Sequence, residues 1–139
     1  MAHEEEVLTA NRAFYAAFAA DDAEAMDALW ARQVPVACIH PGWDPLRGRK
    51  EVMASWRAIF ERGSPPIAYG DATVYVAGDV ALVVCYELLP GARLAATNVF
   101  VNEQGKWRIA HHHAAAVAME SEEADGSTEG WSPGEGKPN

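Results

Sequence analysis

The chain has 139 residues, half of which are hydrophobic, and a formal net charge of −9. This length and composition predict one globular domain with a packed core and exclude a chain that is disordered throughout. The acidic excess argues against binding to nucleic acid or to anionic membrane surfaces, because both need clustered Lys and Arg.

The first part of the chain predicts two consecutive helices. Apolar residues, with Asn11 among them, recur at steps of three and four residues, which predicts a helix over residues 4–20. Asp21 followed by Glu24 matches a capping box, so we expect a second helix to begin there. Pro35 ends that helix.

The remainder predicts a short strand, a third helix and then a meander of strands. The strand is expected at Val36–His40, followed by a rigid Pro/Gly-rich loop at Pro41–Pro45 and a helix at Arg49–Arg62. Beyond it the apolar period changes to two residues, which predicts four antiparallel strands at Ile67–Val76, Val80–Leu88, Arg93–Asn102 and Lys106–Val117. Helices followed by a strand meander are typical of an α+β domain.

We predict that residues 1–118 form this domain and that residues 119–139 form an acidic, mobile tail. Residues 120–139 hold Trp131 as their one large apolar residue, so the tail cannot bury enough surface to offset the entropy of ordering.

The N-terminus is acidic where a secretory signal would be basic, and no apolar run approaches the roughly 20 residues of a bilayer span. We therefore expect a soluble, cytoplasmic protein without a membrane partner. In that compartment Cys38 and Cys85 are expected as two reduced, buried thiols, and one disulfide is the alternative.

Several phrases of the sequence, in order, resemble the nuclear transport factor 2-like superfamily and its SnoaL-like members. They are Asp21–Met26, Gly48–Val52, Thr97–Val101, Gly105–Ile109 and His111–His113. The resemblance covers residues 4–116 and implies a cone-shaped, curved antiparallel sheet wrapped around three N-terminal helices. It also implies a homodimer through the outer sheet face and a cone that binds a small apolar molecule. Activities in the superfamily include ketosteroid isomerisation, polyketide cyclisation and dehydration.

His40 is our candidate for a catalytic base. In the ketosteroid isomerases that the chain resembles, an Asp-Pro pair after the first strand supplies the base, and His40-Pro41 stands at the matching position. A neutral imidazole can accept a proton at physiological pH. The alternative is a core histidine that binds a backbone carbonyl and steers the following loop.

The donors that such isomerases use to stabilise an oxyanion are not matched in this chain. The family's Tyr position falls on Phe14, with Tyr15 next to it, and its Asp position falls on Thr97, next to Asn98. We therefore predict Tyr15 and Asn98 as ligand-contacting residues and do not expect steroid isomerase activity.

The run His111-His112-His113 lies within the last predicted strand. On a strand His111 and His113 share one face and His112 points to the other, and the pattern leaves open which face lines the cone. We predict His113 as a second catalytic residue and His111 as a ligand contact. A metal bound by this pair with His40 is one alternative, and histidines with a structural role are another. The site that we predict contains no metal and no cofactor.

Two tryptophans complete the predicted ligand contacts. Trp56 lies on the apolar stripe of the third helix, whereas Trp43 lies in the Pro/Gly loop and is either a lid or simple packing. We predict Glu87 as a surface residue, the alternative being a partner that orients a histidine. Arg93 is predicted as a solvated charge at a strand start.

These features together predict a small-molecule pocket protein that transfers a proton, in an isomerase-, cyclase- or dehydratase-like reaction, with His40 as base. The alternative is a non-catalytic dimerisation or ligand-sensing module. An interior filled by Trp43, Trp56 and Phe100 would favour the module, and an open pocket with convergent polar groups would favour ligand chemistry.

Overall fold

The structure, a computed structural model, describes residues 2–118 and 131–133. Its elements are α1 (Ala2–Ala19), α2 (Ala23–Leu29), β1 (Ala37–Ile39), β2 (Leu46–Arg47), α3 (Arg49–Arg62), β3 (Ala68–Ala77), β4 (Val80–Leu89), β5 (Ala92–Glu103), β6 (Lys106–Ala116) and β7 (Trp131–Pro133). The predicted α+β class is therefore confirmed. None of the helices in these ranges combines the length and the apolar character that a bilayer span requires.

The strands form one curved, unclosed sheet in the order β2-β1-β6-β5-β4-β3-β7. Strands β3 to β6 form the predicted antiparallel meander. The sheet is mixed rather than wholly antiparallel, because β1 pairs with β6 in parallel. Helix α1 packs across β3, β4 and β6, so one face of the sheet is covered and the other faces outward.

The turn between α1 and α2 differs by one residue from the predicted cap. Asp22 caps α2, and its Oδ1 accepts a hydrogen bond from the Ala25 amide at 3.0 Å. Asp21 takes a left-handed φ of 53° instead. Its carboxylate accepts hydrogen bonds from the amide and the hydroxyl of Ser64, at 2.9 and 2.5 Å. Asp21 therefore ties this turn to the segment after α3.

A β-bulge decides which side chains of β6 face the helices. Ile109 and His111 pair with consecutive residues of β5, so Ala110 is an extra residue on β6. Ile109 is buried before the bulge, and His112 is buried after it. The bulge therefore changes the inward positions of this strand from odd to even numbers.

The core lies between the helices and the covered face of the sheet, and aromatic side chains dominate it. The largest of them are at most 1% exposed: Phe14, Tyr15, Trp30, Trp56 and Phe100. Burying a side chain of this size stabilises the fold by about 1.5–3 kcal/mol. The polar side chains described below are embedded in this apolar surrounding.

Both cysteines are buried free thiols, as predicted. Burial raises the pKa of Cys38 to about 12 and that of Cys85 to about 11. Neither residue is therefore a thiolate nucleophile at neutral pH, because the thiolate is the reactive form.

The predicted tail contributes one short strand. Within residues 119–139, Trp131–Pro133 pairs with β3 and extends the sheet at that edge. The other residues of the predicted tail lie outside the described residues.

Candidate functional site

His40 follows the last residue of β1 and lies beneath the loop that leads to β2. Its ring is 4% exposed. The rings of Trp43 and Trp56 pack against it edge to face, with centroids 4.8 and 4.7 Å away. The Nε2 atom lies 2.9 Å from Ser55 Oγ, on α3. Contacts from the loop and from α3 thus hold the imidazole in one orientation.

Ser55 determines the tautomer of His40. The hydroxyl donates its single proton to the carbonyl of Val52 at 2.7 Å, so it accepts a hydrogen bond from Nε2. Nδ1 of the neutral ring then carries the lone pair, with only a weak thiol contact to Cys38 Sγ at 3.8 Å. Burial lowers the pKa of His40 to about 4, so the ring is neutral at pH 7 and Nδ1 can accept a proton.

Deeper in the structure, polar side chains from α1, β4, β5 and β6 form one continuous network. Its members are at most 2% exposed: Asn11, Tyr15, Glu87, Asn98 and His112. The Asn98 amide donates to Asn11 Oδ1 at 2.9 Å and to the Tyr15 hydroxyl at 3.2 Å. Its oxygen lies 2.5 Å from His112 Nδ1. This oxygen can only accept, so the proton of the His112 ring is on Nδ1.

Glu87 is part of this network, so the prediction that it lies on the surface is wrong. The Tyr15 hydroxyl donates to Glu87 Oε2 at 2.6 Å, and His112 Nε2 lies 3.8 Å from the same oxygen. Burial raises the pKa of Glu87 to about 7, although the hydrogen bond from Tyr15 opposes this effect. Burial lowers the pKa of His112 to about 3. Although 3.8 Å satisfies the distance criterion for an ion pair, complete burial favours the uncharged forms of both groups.

The structure places Tyr15 and Asn98 inside, where their contact with a ligand was predicted. The Tyr15 ring stacks on Tyr69, with centroids 4.6 Å apart. Burial raises the pKa of Tyr15 well above its usual value of 10, so its hydroxyl is a proton donor at neutral pH. Phe14, one position earlier, packs on the ring of His112 at 5.0 Å.

His111 and His113 lie on the outer face of the sheet, which corrects their predicted placement at the ligand. His111 is half-buried, and its Nδ1 donates to the carbonyl of Ala37 at 3.0 Å, whereas His113 is exposed. The parity set by Ile109 would place both inside, but the bulge at Ala110 reverses it. His112 is the histidine of this run that faces inward.

The alternative of a metal bound by His40, His111 and His113 is not assembled, because His40 is inside and the other two are outside. Within residues 2–118 and 131–133, no three His, Cys, Asp or Glu side chains come together as metal ligands would.

The remaining predicted residues differ in how far they are exposed to solvent. Trp43 is 41% exposed and covers His40, whereas Trp56 is 1% exposed. The indole nitrogen of Trp56 has no hydrogen-bond acceptor among the described residues. Arg93 is not a solvated edge charge. It lies in β5, which has a strand on either side, and its guanidinium packs on the ring of Tyr86 at 4.2 Å.

Sequence reasoning did not assign a site role to Asn11, Ser55 or His112. A signal existed for Asn11, since it is a polar residue on the apolar stripe of α1. Ser55 precedes Trp56 on the buried side of α3 and offers a similar but weaker signal. The sequence contains no signal for His112, because an ordinary alanine forms the bulge.

Residues 7–120 match the SnoaL-like domain family. The chain belongs to this family. The SnoaL-like domain is also 36% identical to a dehydratase candidate of the nuclear transport factor 2-like family from Streptomyces avermitilis. That comparison covers 85% of this chain and 98% of the other, with a TM-score of 0.78.

Two further relatives have names that do not refer to dehydration. A candidate calcium/calmodulin-dependent protein kinase type II association domain from Thiobacillus denitrificans is 34% identical, over 80% of this chain and 94% of that one, with a TM-score of 0.71. F-box protein SKIP8 from Arabidopsis thaliana is 27% identical over 84% of this chain. The chain spans about half the length of this curated relative, 52% of it.

Proposed function

We propose that this SnoaL-like domain binds a small, neutral, mostly apolar molecule and transfers a proton next to a carbonyl group of that molecule, with His40 as the base. The observation that carries the proposal is the pairing of a neutral imidazole beneath the half-exposed Trp43 with a buried network of polar side chains, whose member His112 has its ring centroid 6.4 Å from that of His40. Polar groups in an apolar interior cost stability, and such groups converge where a ligand is bound.

The charges of the interior support a neutral ligand. No Lys or Arg side chain belongs to the buried set within residues 2–118. An anionic molecule would therefore lose its hydration without gaining a cation. The indole N–H of Trp56 lacks an acceptor among the described residues, so we expect the ligand to carry an oxygen acceptor.

The proposed reaction begins when His40 Nδ1 removes a proton from the carbon next to the carbonyl. Negative charge then develops on the carbonyl oxygen, where a fixed donor such as the indole N–H of Trp56 stabilises it. Return of the proton to another carbon gives an isomer, whereas expulsion of a hydroxyl as water gives a dehydrated product. The dehydratase candidate at 36% identity supports the second outcome.

The test follows proton transfer directly. The protein, purified without a His tag, is incubated in D₂O with 3-hydroxycyclohexanone and related β-hydroxyketones, and deuterium uptake and enone formation are measured. We expect catalysed exchange that falls by at least about 100-fold in the His40→Gln variant. The His113→Gln variant is the matched control, because His113 lies on the outer face. Equal exchange in both variants would contradict the proposal.

The second candidate is a non-catalytic association module, and the outer face of the sheet favours it. Large apolar side chains are exposed there, with Tyr75 at 56%, Val80 at 46% and Val84 at 40%. An apolar face of this kind is typical of a protein–protein interface, and we propose a homodimer through it. The association-domain candidate at 34% identity supports this assignment. A protein that is dimeric and lacks His40-dependent exchange would favour the module over the enzyme.

A further inference from the structure

The buried carboxylates of the described residues are Glu87 and Glu103, and their surroundings differ. Glu103 accepts hydrogen bonds from two backbone amides, those of Arg32 and Gln33, and lies 3.4 Å from the guanidinium of Arg108. Glu87 forms no ion pair with Lys or Arg in the part of the chain that the structure describes. A carboxylate without a cation is costly to bury, whereas a carboxylic acid is not.

Hydrogen bonds in the network fix where the nearby protons lie. Both protons of the Asn98 amide are donated, so Asn98 Oδ1 accepts from His112 Nδ1. The other nitrogen of a neutral His112 ring, Nε2, then presents a lone pair to Glu87 Oε2 at 3.8 Å. An ionised carboxylate would repel that lone pair in this buried environment. The pair therefore needs one proton on one of its two facing atoms, which lie too far apart for a hydrogen bond between them.

We infer that in the free protein Glu87 carries a proton and His112 Nε2 carries none, and that Tyr15 passes its own proton to the bound molecule and takes a new one from Glu87. Glu87 thus supplies the general acid that complements the base His40, and Asn98 is the positioning residue that holds the tautomer of His112. The role toward a substrate rests on the proposed function, whereas the position of the proton in the free protein does not.

The groups around Glu87 agree with a neutral carboxylic acid. Tyr15 from α1 donates to it, and Cys85 on the same strand lies 3.4 Å from that hydroxyl. Cys38 of β1 is close enough to interact electrostatically with Glu87. Its thiol is uncharged, because burial raises its pKa to about 12. His112 of β6 is the remaining titratable neighbour, and none of these groups brings a positive charge of its own at neutral pH.

The proposed step for a β-hydroxyketone balances without an oxidant or a reductant. His40 Nδ1 takes the proton from carbon, and the electron pair of that C–H bond forms the new double bond. The C–O bond breaks as Tyr15 gives its proton to the departing oxygen, and Glu87 returns a proton to the Tyr15 oxygen. Water leaves, and after product release the proton on His40 returns to Glu87 through solvent.

The two pKa shifts set the pH range of this step. The base works when His40 is neutral, above about pH 4, and the acid works when Glu87 is protonated, below about pH 7. We expect kcat/KM to form a bell with limbs near these values, since both groups of the free protein must be in the correct form together.

The resting proton is tested by infrared spectroscopy of the free protein, which needs no substrate. We expect a carbonyl band of a buried carboxylic acid at about pH 5 that fades with a midpoint near 7, as its pKa requires. The band should be absent from the Glu87→Gln variant and present in Glu61→Gln, which changes an exposed glutamate of α3. If the spectra of Glu87→Gln and the unchanged protein are the same at about pH 5, Glu87 is ionised and the inference is wrong.

The relay is tested separately by kinetics. We expect Glu87→Gln to lower kcat by about 100-fold with little change in KM and to remove the limb near pH 7. Gln has the same shape as the protonated acid and can still accept from Tyr15, so folding is preserved. Full turnover in this variant would refute the relay. An infrared band without any turnover in the unchanged protein would support the resting proton and contradict the proposed function.

Discussion

Each face of the sheet carries some side chains of the kind that usually lie on the other face. Along β5, Asn98 faces inward with no exposed surface, in contact with the buried residues Glu87 and His112. On the outer face Tyr75 and Val84 are 56% and 40% exposed. Interiors are usually apolar and surfaces usually polar. The two proposed functions lie on different faces, with proton transfer proposed for the inner face and association for the outer face.

The inner face keeps its polar groups at a cost in stability. Burial shifts the pKa of Glu87 upward and those of His40 and His112 downward, and each shift opposes the charged form that the unfolded chain would adopt in water. Exposed apolar side chains such as Val84 carry no titratable group and so add no cost of this kind. The comparison can therefore be tested by stability measurements on matched inner and outer positions.

The largest expected effect is a pH-dependent stability difference between the unchanged protein and Glu87→Gln. The pKa of Glu87 is raised from 4.5 to about 7 by folding, so the unfolded chain loses this proton first. Relative to the Gln variant, the unchanged protein should lose stability as pH rises from 4.5 to about 7 and remain level above it. The loss should be about 3 kcal/mol, measured by urea unfolding. A difference that does not vary over this range would contradict the account.

The next effect compares two neighbouring residues of β5 that face opposite sides. Asn98→Leu leaves His112 Nδ1 and Asn11 Oδ1 without their partner, and should lower the free energy of unfolding by about 2 kcal/mol. Thr97→Val, the control on the outer face, should change it by no more than about 0.5 kcal/mol. Equal losses in the two variants would show that the buried hydrogen bonds of Asn98 contribute no more to the free energy of unfolding than an outer-face side chain does.

The smallest effect on folding is expected on the outer face. Val84→Lys should leave the free energy of unfolding of the subunit within about 0.5 kcal/mol, yet convert a dimer to a monomer in light scattering, because a charge would enter the proposed interface. Val34→Lys is the control, since Val34 is 39% exposed but lies outside the strands. An unchanged mass in both variants would place the association surface elsewhere.

The sequence was sufficient to predict most elements but not how they meet. Helix α3 has the predicted bounds, Arg49–Arg62, because Gly63 and the Pro65-Pro66 pair follow a clear helical period and end it. The four long strands agree within one or two residues, because their turns carry strong signals. The parallel pairing of β1 with β6 was not predicted, since it joins segments more than 60 residues apart.

The site was predicted only in part, again because some of its contacts join residues that are far apart in the sequence. His40, Tyr15 and Asn98 were selected by position, and the structure brings all three to the interior. Glu87 was misplaced because its surroundings come from distant residues, such as Tyr15 on α1. His112 was not selected because parity along β6 depends on a bulge at an alanine.

The most direct test of the central claim, that the interior binds a neutral molecule against His40 and the buried network, is a high-resolution crystal structure of protein purified from its native host. The account predicts density for an uncharged molecule with an oxygen within hydrogen-bond distance of the Tyr15 hydroxyl, a carbon facing His40 Nδ1, and Trp43 covering both. An interior without such density, with Trp43 packed on His40 at the present 4.8 Å, would contradict it.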